Sequence, residues 1–228
     1  MAFVATPVIG RQPPRAVGRR AMLLGLSSAG ASLAFPRGAR AGESGLVGTP
    51  RQTLGPFYPV EWSGDIDNDL VVVTGEAAQA MGTVLRVKGR VLDLSGSPVA
   101  GARVEIWQCD ANGIYLHPRD MDEGRRRDGQ FQGRGRTTTA GNGAYEFRTI
   151  RPVPYPGRTP HIHFQVERPS DRPLVTQMYV AGEPLNERDA ILAAIRDPRQ
   201  RDSVIVRLEP ADGIEAGSLG ATFDIVLG

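Results

Sequence analysis

Short runs in which apolar and polar residues alternate recur along this chain, and nearly every one is bounded by glycine or proline. Thr83 to Leu92 (TVLRVKGRVL) and Ala102 to Gln108 (ARVEIWQ) are the clearest, separated by the turn Ser95-Gly96-Ser97-Pro98. A period of two puts every second side chain on the same face of an extended strand, so the two runs read as a hairpin-like pair. Further runs follow at Gly135–Thr139, Ala144–Thr149, His161–Val166, Leu174–Val180, Ser203–Leu208 and Thr222–Val226, with turn residues between them. The 28 glycines and 18 prolines among 228 residues argue against a helical bundle. The expected fold class is all-β, an antiparallel β-sandwich core with Pro/Gly-rich loops and one short helix. That helix is Leu185–Ile195, with Ile191, Leu192 and Ile195 on one stripe and Pro198 as its stop.

Residues 1–41 read as a separate leader. They hold Arg11, Arg15, Arg19, Arg20, Arg37 and Arg40 and no acid, and the apolar run Ala21–Phe35 that follows Arg19-Arg20 is too short to span a bilayer. Ala39-Arg40-Ala41 supplies a small-x-small cleavage pattern, and the arginine pair is that of a twin-arginine export signal. The expectation is an exported, periplasmic protein with no stable membrane span once the signal is removed, and one domain over residues 42–228. The leader takes six of the 27 basic residues, which leaves 21 against 25 acids, a net charge of −4. Nucleic acid is not an expected partner. Arg125-Arg126-Arg127, beside Asp120, Asp122, Glu123 and Asp128, reads as a mixed, solvated loop. Cys109 is the single cysteine, so neither an intrachain disulfide nor a cysteine-rich zinc site is available.

The chemistry concentrates around the histidines. His161 and His163 flank Ile162 in a strand-like run, so both imidazoles project from one face. That arrangement suits a metal, and it also suits the plain polar face of a sandwich. Ahead of it runs Arg151-Pro-Val-Pro-Tyr-Pro-Gly-Arg158, followed by Thr159-Pro160; its prolines fix φ and deny the loop ladder donors. The loop is built stiff, with Tyr155 inside it.

In four ordered pieces the chain resembles the intradiol ring-cleaving dioxygenases, the group of catechol 1,2-dioxygenase and protocatechuate 3,4-dioxygenase. The pieces are Thr53-Leu-Gly-Pro-Phe-Tyr58, Gly89 to Tyr115 (GRVLDLSGSPVAGARVEIWQCDANGIY), Tyr155 to Phe164, and Thr176-Gln-Met-Tyr179. The resemblance implies a mononuclear Fe(3+) cofactor held by Tyr115, Tyr155, His161 and His163. Two imidazoles alone would equally suit zinc, copper or nickel, whereas two phenolates favour a hard, highly charged ferric ion. It also implies roles for Arg158 in stabilising negative charge on the substrate, for Gln177 in orienting Arg158, and for Gly55, Pro56 and Phe57 in walling the substrate pocket. Tyr155 is implied to be the tyrosine that a catechol displaces, and His117 to be a neighbour of the ligands or a surface residue. The partners implied are a small aromatic diol and O2, with a homo- or hetero-oligomer open, and the product a cis,cis-muconate-type diacid. The Tyr155 to His161 interval is shorter than in many members, which implies a more open or differently shaped pocket. A competing resemblance joins Gly89 to Ile106 to transthyretin-like and collagen-binding-B-like sandwiches, which would make the protein a secreted binding module without catalysis. A zinc or copper hydrolase on the same four ligands is a third reading, which phenolate ligation disfavours.

Overall fold

The computed structural model describes residues 45–120, 124–169 and 171–228; the leader read at 1–41, and Asp122 and Glu123 of the mixed loop, lie outside the described residues. In chain order the strands are β1 (Val84–Asp93), β2 (Arg103–Trp107), β3 (Arg134–Thr138), β4 (Ala144–Ile150), β5 (His161–Glu167), β6 (Leu174–Val180), β7 (Ile205–Val206), β8 (Glu209–Pro210), β9 (Leu219–Thr222) and β10 (Ile225–Leu227). Two short helices, α1 (Ala190–Ala193) and α2 (Pro198–Ser203), separate β6 from β7. No helix among the described residues is long and apolar enough to cross a membrane.

β1 is the spine of the first sheet. One edge pairs antiparallel with β4, from Val84 opposite Ile150 to Arg90 opposite Ala144. The other edge pairs parallel with β9 and then, at the same register offset, with β10, so these act as one strand interrupted at Phe223–Asp224. The second sheet runs β3-β2-β5-β6-β7. The expected sandwich is present, and its sheets are mixed: β1 with β9 and β10, and β6 with β7, are parallel pairs. Alternation encodes which face a residue takes, not the direction of its neighbour, and parallel neighbours arise where a long crossover returns the chain to the same edge.

Between the sheets Val87, Val91 and Phe147 meet Val104, Ile106, Ile162, Phe164 and Met178, all buried. Each such side chain contributes roughly 1.5–3 kcal/mol of burial. Phe164 reaches across to Phe223, ring centroids 5.0 Å apart. The opposite face of the second sheet carries Glu105, Trp107, His161, His163, Gln165, Gln177 and Tyr179, with Trp107, His163 and Gln177 in register across three strands. Residues 49–58 cover this face, tied on by the Gln52 N–H to the Val175 carbonyl at 2.8 Å and by Arg51 Nη1 to the Pro173 carbonyl at 2.6 Å.

The helix expected over Leu185–Ile195 is broken. A 3-10 turn, Pro184–Arg188, ends at Asp189, which is extended at φ −79 and ψ 111 and caps α1 by accepting from Ile191 and Leu192. Asp197 caps α2 in the same way, with Pro198 in its first turn, so Pro198 starts a helix where it was expected to stop one. An aspartate side chain competes with the helix for backbone N–H groups, and a proline after such a cap costs nothing because its missing donor would be unpaired anyway. Because α2 runs through Ser203, the expected strand Ser203–Leu208 shrinks to β7.

Gly89 sits where β1 passes the interruption between β9 and β10. A Cβ there would lie 1.9 Å from the Phe223 carbonyl oxygen, which also accepts the Tyr145 hydroxyl at 2.5 Å. Backbone cannot yield to it as a flexible side chain would. Gly89→Ala is expected to destabilise the protein by about 3 kcal/mol or more, read as a lower urea midpoint at unchanged slope. Gly141→Ala, with no atom within 4 Å of the added methyl, is expected to stay within about 0.5 kcal/mol of wild type.

Candidate metal centre

β5 sends Ile162 and Phe164 into the core and turns His161 and His163 into the covered outer face, where they are 1% and 2% exposed. Their Nε2 atoms stand 3.2 Å apart. His161 Nδ1 lies 2.6 Å from the Thr159 carbonyl. A carbonyl only accepts, so Nδ1 carries the ring proton and Nε2 presents a lone pair. His163 is held instead by Trp107, whose indole lies flat on it at 4.8 Å with 9° between planes, a stack worth roughly 1 kcal/mol beyond its buried area. Burial pushes His161 down to about 4, with the Arg158 guanidinium adding to the effect, and takes His163 well below its ordinary value. Both are neutral bases at neutral pH.

Two tyrosines approach the pair from loops. Tyr115 follows β2 in a loop closed by Asp110, one oxygen of which accepts the N–H groups of Asn112 and Ile114. The Tyr115 N–H donates to Asp120 Oδ2 at 2.7 Å, and Arg125 clamps Asp120 at 3.1 Å and the Gly113 carbonyl at 2.9 Å. Arg125, read as part of a solvated loop, therefore braces the Tyr115 segment. The Tyr115 hydroxyl lies 3.4 Å from His161 Nε2.

Tyr155 opens a tight turn closed by the Arg158 N–H on the Tyr155 carbonyl at 2.9 Å. Pro156 fills its second position and Gly157, at φ 82, its third, the pattern of a type II turn. The turn brings Tyr155 and Arg158 side by side, and the Tyr155 ring centroid stands 5.5 Å from those of both Tyr115 and His161. Burial raises the Tyr115 phenol well above its usual value, and it raises Tyr155 as well although Arg158 pulls the other way. Left to themselves, both phenols are protonated.

Arg158 joins these pieces. Its Nη1 lies 3.3 Å from His161 Nε2, its Nη2 donates to Gln177 Oε1 at 2.6 Å, and its Nε donates to Asp189 Oδ2 at 2.7 Å. Burial alone would raise the Asp189 carboxyl, but Arg158 and the Leu192 and Thr159 amides hold it below its usual value. Gln177 Nε2 donates to the Thr53 carbonyl at 3.3 Å, and the Tyr179 hydroxyl stands 3.1 Å from Gln177 Oε1 and 2.6 Å from Gln52 Oε1. Beyond Thr53, Gly55 takes φ 72, and a Cβ on it would lie 3.3 Å from His163 Cε1. Phe57 stacks on Tyr115 at 4.8 Å, while Pro56 between them is exposed. His117 is buried beside Phe57, rings 5.7 Å apart, its Nδ1 accepting the Arg119 N–H.

His163 Nε2 and the Tyr115 oxygen both lie within 3.4 Å of His161 Nε2, with the Tyr155 ring beside His161. His163 Nδ1 is buried with no hydrogen-bond partner, and no group of three or more His, Cys, Asp or Glu forms a metal cluster among the described residues. A cation here has to take tyrosine oxygen. That donor set fits a ferric ion, since two phenolates offset two of its three charges and hard oxygen suits it better than it suits zinc or copper.

Asp189, Trp107, Tyr179 and Gln52 belong to the site without having been assigned a role from the sequence. Trp107 lies in an alternating run, and its place over His163 depends on strand register. Asp189 had one local signal, an aspartate ahead of a helical run, but the longer expected helix absorbed it.

A family model described as a dioxygenase matches residues 54–228. The beta chain of protocatechuate 3,4-dioxygenase from Burkholderia cepacia is 38% identical over 186 residues, covering 78% of this chain and 78% of that one. Hydroxyquinol 1,2-dioxygenase from Corynebacterium glutamicum is 32% identical over 213 residues, covering 78% of this chain and 63% of that one, so this chain spans less than two thirds of that relative. Among solved structures, the dioxygenase domain of a dioxygenase and carbohydrate-binding fusion from Streptomyces sp. SirexAA-E matches at 31% identity and TM-score 0.60, over 79% of this chain and 98% of that one. The intradiol ring-cleavage dioxygenase from Tetranychus urticae shares the fold, at 24% identity and TM-score 0.63, over 80% of this chain and 95% of that one. The family match takes in both sheets and all four candidate ligands, whereas the likeness to a binding module stops at Ile106 and leaves the buried histidines and tyrosines without a reason. On this evidence of sequence and fold together, the chain belongs to the intradiol ring-cleaving dioxygenases.

Proposed function

We propose that this chain opens a catechol-type ring between its two hydroxyl-bearing carbons, with O2 as co-substrate and a single Fe(III) held by Tyr115, Tyr155, His161 and His163, to give a cis,cis-muconate-type diacid. The observation that carries this reading is that His163 Nε2 and the Tyr115 hydroxyl both lie within 3.4 Å of His161 Nε2, with the Tyr155 ring packed against Tyr115 and His161. The balance closes without a reductant, because both oxygen atoms enter the product and the catechol supplies all four electrons.

When bound, a ferric ion would supply the Lewis acidity that draws electron density from a catecholate, and the charge that keeps two phenolates ionised. The remaining tasks fall to side chains. His161 and His163, neutral and aimed by the Thr159 carbonyl and the Trp107 face, offer lone pairs without first losing a proton. The two tyrosine oxygens are the bases nearest an arriving diol, and Tyr155, half-buried where Tyr115 is fully buried, is the one that solvent reaches. Arg158 keeps its charge at every working pH and faces the same centre, where it stabilises negative charge growing on the substrate. Gln177 fixes one arm of that guanidinium, and the Gly55 to Phe57 segment closes a wall against His163 and Tyr115.

Purified, iron-loaded protein is expected to be burgundy from tyrosinate-to-iron charge transfer and to consume oxygen with catechol. Chelation should bleach it and stop oxygen uptake, and iron should restore both. Tyr115→Phe and Tyr155→Phe, made singly, should each weaken the visible band and cut oxygen uptake on the order of 10²-fold or more. A metal-replete protein that is colourless and takes up no oxygen with any catechol would sink the reading. Gly55→Ala adds a methyl 3.3 Å from His163 at a left-handed φ. Its expected effect is about 1 kcal/mol of lost stability, together with a blue- or red-shifted band as His163 is pushed along the Trp107 face.

A further inference from the structure

Asp189 stands just ahead of α1, is 1% exposed, and has no part in the motifs that mark the site. Four donors converge on its carboxylate. Oδ1 accepts the N–H groups of Ile191 at 3.0 Å and Leu192 at 2.9 Å, the bonds any capping residue makes. Oδ2 accepts Arg158 Nε at 2.7 Å and the Thr159 N–H at 3.1 Å, and neither of these serves the helix.

The second pair of bonds falls on two successive residues with separate tasks. Arg158, held at Nε by Asp189 and at Nη2 by Gln177, has one arm left, and that arm is Nη1, 3.3 Å from His161 Nε2. Thr159, held by its N–H, directs its carbonyl to His161 Nδ1 at 2.6 Å, the contact that sets the ring's tautomer. A planar guanidinium gripped on two sides cannot turn, whereas one gripped by a neutral amide alone can. The Thr159 hydroxyl is itself pinned to Asn186 Oδ1 at 2.7 Å, so the segment is tied twice to the region ahead of α1.

We propose that Asp189 is a positioning residue of the ring-opening site: by gripping Arg158 Nε and the Thr159 N–H together, its carboxylate aims the guanidinium at the substrate and holds the Thr159 carbonyl against His161. The inference rests on the proposed function, in which Arg158 faces substrate and His161 is a ligand.

Asp189→Asn keeps an oxygen for the cap and turns an amide NH2 toward two N–H donors; Asp189→Ser also caps but has no second oxygen to offer. With full-length, iron-loaded protein, both variants are expected to lower kcat for catechol about 10²-fold. They should also weaken binding of the slow analogue 4-nitrocatechol, read from its absorbance change without turnover, about tenfold, in protein that stays folded at the assay temperature although its melting temperature falls by roughly 6–20 °C. Added to Arg158→Gln, Asp189→Asn should cost clearly less than it does alone, because the part of its effect that passes through Arg158 is already removed and only the part through Thr159 remains. Wild-type kcat and analogue affinity in the Asn and Ser variants, losses that multiply with that of Arg158→Gln, or failure of both variants to fold while Arg158→Gln folds, would each overturn the proposal and leave Asp189 a helix cap. An inactive, colourless wild type would instead overturn the functional reading and the positioning role with it, so the two failures are told apart.

Discussion

The outer face of the second sheet is polar and yet buried, and the rest of the structure is arranged around satisfying it. In an antiparallel sandwich such a face ordinarily meets water. Here residues 49–58 cover it, so each polar group must find a partner inside the protein. Glu105 receives the Tyr58 hydroxyl at 3.0 Å, Gln165 Nε2 at 3.1 Å and Arg103 Nε at 3.1 Å. Gln177 is met by Arg158 and the Thr53 carbonyl, and Tyr179 by Gln52. The covering segment therefore completes the web that shapes the site. Among the groups left over, His163 Nδ1 and Trp107 Nε1 belong to the stacked pair beside the candidate metal position, and Gln52 Nε2 lies in the covering segment.

A fixed positive charge beside a cation site carries its own difficulty, because a guanidinium repels a metal ion as well as stabilising an anion. Asp189 answers this. The Arg158 and Asp189 side chains are 11% and 0% exposed, a buried pair with no net charge, in which removing either partner alone would cost about 3–5 kcal/mol. The carboxylate lies at the Nε end of the guanidinium and the His161 imidazole at Nη1, so the dipole of the pair points its positive end at the centre. In the proposed reaction that end would face substrate negative charge, while the neutral pair leaves the site open to a cation.

What the sequence made legible was local. The period of two in β1, β2 and β5 marks the strands and puts His161 and His163 on one face, since alternation needs no knowledge of neighbours. The turn at Tyr155–Arg158 is equally readable from Pro156-Gly157. Register is not: nothing in His161-Ile162-His163 says that Trp107 and Gln177 lie opposite His163, nor that β9 and β10 return parallel to β1. The helical region was misread because hydrophobic spacing outweighed capping chemistry. Ile191, Leu192 and Ile195 do share a stripe, but Asp189 and Asp197 each take two backbone N–H groups and restart the helix after themselves. The Tyr115 loop was illegible for another reason, since its shape is set by carboxylates accepting backbone N–H groups.

The four candidate ligands hang on supports of graded stiffness, and that gradation separates the two phenols. His161 and His163 are fixed by paired strands on both sides of β5. Tyr115 is fully buried, its backbone N–H taken by Asp120 and its ring capped by Phe57. Tyr155 sits at one end of a four-residue turn, half-buried, with Arg158 at the other end. A ligand that must let go and return needs a short lever and access to a proton, and a ligand that must stay needs neither. Tyr155 has the lever and the access, and the guanidinium that shares its turn lowers the cost of the anionic form. The asymmetry of support, burial and nearby charge is in keeping with the proposed roles, in which Tyr155 exchanges and Tyr115 stays.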